Sequence, residues 1–172
     1  MKVNIGRYPK GDKERKVRVV IEQYDTWSMD HTLALIIHPM LVQLKETKHG
    51  SPFVDDEDVP EELKSTSAPP KENDYDTDDN HHKRWEWVLD EMIWTFAQKI
   101  DDNAEDQFHS GEHDLRWEEA PELTDADGTT YGTLVKGPND TYVFDKEAHD
   151  VWQSRKSNGF KLFGKYYEAL WD

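Results

Sequence analysis

The chain has 172 residues and a mass of 20.2 kDa, a length that suits one domain carrying a long insertion. It holds 37 acidic against 21 basic residues, and its formal net charge of −16 disfavours non-specific adhesion to nucleic acid or anionic membrane. With no cysteine, a disulfide scaffold, a zinc ribbon, a thiol nucleophile and an iron–sulfur cluster are excluded.

The first elements in chain order are strands. Val3 and Ile5 alternate with polar residues, and Val17, Val19 and Ile21 do so again. Pro9-Lys10-Gly11-Asp12 is a turn signal between them, so the pair reads as a β-hairpin. After Tyr24-Asp25-Thr26 the period becomes helical. Leu33, Ile36, Ile37, Met40, Leu41 and Leu44 form one stripe, with Ser28 or Asp25 as the cap. Pro39 lies within this stripe. It lacks a donor and crowds the preceding turn, which predicts a kink or break near His38.

Residues 51–80 form a long, acid-rich connection with a short helix expected over Pro60 to Lys64. The rest of it has almost no apolar content, so a partly flexible insertion is expected. Asp79 or Asn80 then caps a stronger helix whose stripe is Trp85, Val88, Leu89, Met92, Ile93, Phe96 and Ile100. Trp87 and Trp94 fall on a second face, which suits either burial on both sides or docking to a partner.

From Trp117 the pattern returns to strands. Asp127-Gly128 marks a hairpin turn before Thr130 to Val135, and Gly137 to Asp140 marks another before Thr141 to Phe144. Asp145 caps a C-terminal helix. Its stripe is interrupted at Asn158-Gly159 and resumes at Phe160, so Gly159 marks a break or a close helix crossing. The fold class expected is α+β: a small antiparallel sheet against two long helices and a C-terminal helix, over 1–172 as a single domain with 51–80 as its insertion.

Several segments resemble small uncharacterised proteins encoded by tailed bacteriophages. They are Tyr24 to Ala34, Lys45 to Pro52, Asp78 to His82, Arg84 to Trp94 and Asn158 to Tyr167, and the resemblance that they carry extends over most of the chain. The resemblance implies a setting, a phage accessory protein in the cytoplasm of an infected bacterium, where host takeover or counter-defence is a common task. It carries no activity with it.

The charge is unevenly distributed. Positions 1–20 hold seven basic and two acidic residues, net positive by five, whereas 54–80 hold eleven acidic and two basic. Arg7, Lys10, Lys13, Arg15, Lys16 and Arg18 gather on one hairpin with Tyr8, Tyr24 and Trp27 nearby. Guanidinium forks hold phosphates and aromatic faces stack on bases. Pairing with the acidic insertion, within or between subunits, explains the same reversal of charge.

Metal chemistry has one candidate set. His82, Glu86 and Asp90 fall at i, i+4 and i+8 on one helix face, and a solvated polar face has the same spacing. Asp30, His31 and His38 sit on the other helix. Asp125-x-Asp127-Gly128 has the start of a calcium loop without its bidentate Glu, so a hairpin turn is expected there. The chain has no Gly-x-Ser-x-Gly, P-loop or Gly-x-Gly-x-x-Gly.

The leading expectation is therefore non-covalent binding that sequesters a nucleotide-type signal, without enzymatic activity. Its candidate ligand residues are Arg7, Tyr8, Lys10, Arg15, Arg18, Trp27 and Trp85. Two alternatives stand beside it. One is an acidic inhibitor or DNA mimic of a host nucleic-acid-binding protein, and the other is a metal-dependent hydrolase on His82, Glu86 and Asp90. The expected partners are a nucleotide-type small molecule or a host protein, with no direct nucleic acid and no membrane. No cofactor is expected under the first reading, and a divalent metal under the third. The spare aromatic faces suggest a homo-oligomer.

Overall fold

The computed structural model describes residues 1–7, 10 and 14–171, and the side chains of all of these except 121–124 and 130. The α+β class holds, with three long helices and three separate two-stranded antiparallel ladders among the described residues, in place of one sheet. The chain divides into two units, Met1–Asp101 with Lys156–Asp172, and Asp102–Arg155. Among the described residues, no helix is long and apolar enough to cross a membrane.

In the first unit, β1 (Lys2–Ile5) pairs with β2 (Val17–Val20), and a 3-10 turn at Gln23–Thr26 leads into α1 (Met29–Thr47). α2 (His81–Ile100) follows the acid-rich segment. Its apolar stripe makes it the centre of the core: Val88, Leu89 and Met92 are 0% exposed and Trp85 is 1% exposed. Each such burial is worth roughly 1.5–3 kcal/mol before chain entropy is subtracted. Ala34 and Leu41 of α1, Val54 and Val59 of the acid-rich segment, and Leu162 and Tyr166 near the C-terminus close around it. Trp87 and Ile93 pack half-buried against the same core.

The buried line of α1 runs through Ala34 and Leu41, with Ile37 and Leu44 packed against the core. The expected stripe is displaced toward Ala34, because Leu33 and Met40 remain exposed. The expected break at Pro39 does not occur, and α1 continues through it. A proline at 39 deprives the Leu35 carbonyl of its donor. Pro39 and Leu35 are both exposed, so that carbonyl is on the side where water can satisfy it.

Lysine–carboxylate pairs lace α1 to α2 along an antiparallel line. Lys99 meets Asp30 at 2.6 Å, Lys45 pairs with Asp90, and Lys48 pairs with Glu86. Exposed pairs contribute little each. Their effect is to set the register of the two helices.

The acid-rich segment, expected to be partly flexible, is tied down over its first half. Three 3-10 turns, Asp56–Asp58, Glu61–Leu63 and Ser65–Ser67, bracket buried Val59, and the middle one falls within the helix expected over Pro60 to Lys64. The side chain of Asn80, the N-cap residue of α2, donates to the carbonyls of Glu62 and Lys64. Such long-range anchors carry no periodicity for a sequence pattern to reveal.

The second unit contains the short ladder of β3 (His109–Ser110) with β6 (Val143–Phe144) and the longer ladder of β4 (Leu115–Thr124) with β5 (Thr130–Lys136). Phe108 and Trp152 are buried together, their ring centroids 5.5 Å apart. Asp145 caps α3 (Lys146–Lys165) as expected, accepting from the Ala148 amide at 3.0 Å. α3 runs unbroken through Gly159. The glycine answers the closeness of α2: a Cβ there would lie 1.9 Å from Thr95 Oγ1.

Candidate functional site

The register of the N-terminal ribbon sorts its side chains. Val3 lies opposite Val19 and Ile5 opposite Val17, which puts four β-branched residues on one face. Lys2, Asn4, Lys16 and Arg18 fall on the other face, with Val20 opposite Lys2, and together with Val17 they line an open concavity of about 540 Å³. Alternation of residue type thus becomes an amphipathic ribbon, apolar on one side and basic on the other. All of these side chains are exposed.

Among the described residues, no carboxylate pairs with Lys2, Arg7, Lys10, Lys16 or Arg18. Arg15 folds back, its Nε donating to the Gly6 carbonyl at 2.6 Å. The base of the ribbon is held by the Met1 amino group, which donates to Asp25 Oδ1 at 2.6 Å. That hydrogen bond holds the Asp25 carboxyl below its ordinary range. Trp27 follows two residues later and is 87% exposed.

The other expected ligand residues fare differently. Arg7 and Lys10 are exposed toward the ribbon tip. Tyr8 lies outside the described residues, as does Lys13. Trp85 is a correction: it is sealed in the core with its ring edge-on to Tyr166, centroids 5.9 Å apart, and has no face to offer a base. Its place on the main apolar stripe of α2 was the signal against a ligand role.

The metal set does not converge. Among the described residues, the only trio of His, Asp or Glu with ligand atoms all within 4.8 Å of one another is Asp55, Glu57 and Asp58. Glu86 and Asp90 are matched to Lys48 and Lys45. His82 Nδ1 lies 3.0 Å from Ser51 Oγ. A divalent ion on His82, Glu86 and Asp90 would have to displace two ammonium groups. Asp30 is held by Lys99 in the same way, and His31 sits against the Lys99 carbonyl. The Asp125–Asp127 stretch is a hairpin turn, with Asp127 accepting from the Thr129 amide and Gly128 at φ 85°.

The trio that does converge surrounds Lys165. Its Nζ lies 2.8 Å from Asp55, 3.1 Å from Glu57 and 2.6 Å from Asp58, which raises the lysine above its ordinary pKa. The ammonium occupies the point where a cation would sit. Tyr166 adds a hydroxyl that donates to Asp58 at 2.5 Å and accepts from the Asp55 amide at 3.0 Å. Burial and the Asp58 contact push that phenol up to about 12. Sequence reading missed this arrangement because its parts lie more than a hundred residues apart, as the Tyr166–Asp58 separation of 108 shows. Neither periodicity nor a motif links them.

Compared with family models, curated proteins and solved structures, the chain matches none.

Proposed function

We propose that the protein acts by non-covalent binding, with the basic face of its N-terminal ribbon holding a phosphate-bearing ligand of nucleotide type. The observation that carries this is the row of Lys2, Lys16 and Arg18 around one concavity, without carboxylate partners among the described residues, in a chain of net charge −16. Leaving cations unpaired amid excess acid is favourable where an external anion completes them. Trp27 is the aromatic available for stacking, and Trp85 has no part in it. In the setting implied by the sequence resemblance, the task is sequestration of a signal during phage infection, in the host cytoplasm. Calorimetric titration with cyclic and ADP-ribose-type nucleotides tests it, and absence of heat across the panel removes the reading.

The apolar face of the same ribbon suits a second copy. A two-stranded ribbon alone is marginally stable, and Val3, Ile5, Val17 and Val19 gain burial when two such faces stack. The basic faces then point outward, so no like charges meet.

A second reading, an acidic inhibitor or DNA mimic of a host nucleic-acid-binding protein, is supported by the anchoring of Asp55, Glu57 and Asp58 about Lys165, where three carboxylates outnumber one ammonium. Fixed carboxylates are what imitation of a phosphate array requires. Pull-down from host lysate with and without ~1 M salt tests it, because screening at that strength dissolves charge-driven capture. A salt-resistant partner, or none, counts against mimicry.

A further inference from the structure

A groove between the acid-rich segment and the start of α2 is outside the ribbon and has a different chemistry. It encloses about 520 Å³, within the ~300–1,000 Å³ range of ligand pockets. Phe53, Pro69, Pro70, Asp74, Tyr75 and Asp76 are among the residues that line it. Phe53 is 83% exposed and Tyr75 86% exposed. Two large rings left in water on the wall of one groove call for an occupant.

Phe53 is not a loose end. Phe53 rests edge-on against buried His81, centroids 5.2 Å apart, and His81 is itself held by the Ser51 carbonyl through Nε2 at 3.2 Å. The groove therefore has one braced ring, Phe53, and Tyr75 is the second ring on its lining. Its charge is negative. The Asp74 carboxylate has no cationic partner among the described residues. Asp76 accepts only a neutral amide, from Asn73 at 2.8 Å. One cation also lines the groove, Lys71, and it is turned to the Asp74 carbonyl at 2.9 Å.

Aromatic faces beside unneutralised carboxylates select against anions and against wholly apolar ligands. They favour a cation on an apolar stem, which gains cation–π attraction and an ion pair together. We propose that this groove binds an arginine or lysine side chain of a basic peptide segment. The charge complementarity fixes the occupant as basic, and the exposed rings favour arginine, whose planar fork stacks where an ammonium does not. The inference stands on the groove alone and does not require the ribbon to bind nucleotides.

The test is fluorescence anisotropy of the full chain with labelled hexa-arginine, hexalysine and hexaglutamate peptides at ~0.15 M salt, where surface charges more than about 8 Å apart are screened. Phe53→Ser with Tyr75→Ser removes the wall without changing charge, and both side chains are exposed enough for the fold to persist, which a thermal melt verifies. The expected result is tightest binding of hexa-arginine, none of hexaglutamate, and at least a tenfold loss in the double variant. Lys16→Gln with Arg18→Gln should leave peptide binding unchanged while removing any nucleotide binding, so the two proposals fail separately. Equal binding by the double aromatic variant would show that diffuse acidity alone attracts the peptide and would overturn the groove. So would failure of hexa-arginine to bind, or comparable binding of hexaglutamate. If the wild type self-associates and the double aromatic variant does not, the occupant is a second copy and a foreign peptide is ruled out.

Discussion

Arg84 grips Asp78 with both prongs of its guanidinium, Nη1 to Oδ1 at 2.9 Å and Nη2 to Oδ2 at 2.7 Å. The arginine side chain is 5% exposed and the carboxylate 15%. The pair clamps the end of the acid-rich segment to the first turns of α2, and a further bond from Nη1 reaches the Leu63 carbonyl at 3.2 Å.

The pair should make stability fall in acid. The Arg84 contact lowers the Asp78 pKa from 3.8 to about 2. A depressed carboxylate contributes stability that is fully present above its unfolded pKa and is lost as pH falls through its folded one. The window is therefore from about pH 4 down to about 2, and the size is about 2 kcal/mol. Urea melts of wild type and Asp78→Asn should differ at pH 6 and converge by pH 2. Arg84→Met, which strands the buried carboxylate, should cost more, about 3–5 kcal/mol at neutral pH.

Gly159→Ala should destabilise despite improving helix propensity. The substitution gains about 1 kcal/mol of propensity. Against that, the new Cβ meets Thr95 Oγ1 at 1.9 Å, Thr95 Cβ at 2.7 Å and the Glu91 carbonyl at 2.9 Å. Overpacking of this kind costs about 1–3 kcal/mol, and Thr95 is 0% exposed with nowhere to move. The net loss should show as a lower urea midpoint at unchanged slope. Adding Thr95→Gly should recover part of it, since it removes the clashing atoms.

Tyr166→Phe should lose two hydrogen bonds, about 1–3 kcal/mol, because one of them goes to a carboxylate. The alkaline limb should change as well. A phenol raised to about 12 contributes stability that is present below pH 10 and lost between 10 and 12. Wild type should weaken across that interval by more than Tyr166→Phe does, which a series of thermal melts measures.

How much of this was legible in the sequence depends on distance along the chain. Local patterns carried well: the Val3–Ile5 and Val17–Val19 alternation became β1 and β2, and Trp85 to Ile100 became one helix around the core. Single residues with two uses did not. Pro39 signals a kink or break and Gly159 a break or a close helix crossing; Pro39 lies on an exposed face and Gly159 at the crossing, so both helices continue. Long-range ion pairs were invisible, and they decide the site. Lys45 and Lys48 take the carboxylates that the i, i+4, i+8 spacing offered to a metal. By contrast, the ribbon's basic face was readable because register and alternation are local, and so was the burial of Trp85, which heads the apolar stripe of α2.

The ribbon's apolar face should drive self-association. Val3→Lys with Val19→Lys places charge on two directly opposed positions of that face. Sedimentation velocity across a hundredfold range of concentration should show a concentration-dependent species for wild type and a single slower one for the variant. A wild type that stays monomeric throughout contradicts the proposed stacking of ribbons.

The central claim, that the basic face binds a phosphate-bearing ligand, is tested most directly by titrating the nucleotide panel into wild type and into Lys16→Gln with Arg18→Gln at two salt concentrations. Both side chains are exposed, so the variant should melt as wild type does. Wild type should bind saturably, with an affinity that weakens with salt and falls at least tenfold in the variant. Binding of equal strength in the variant, or no binding by wild type at low salt, would contradict it.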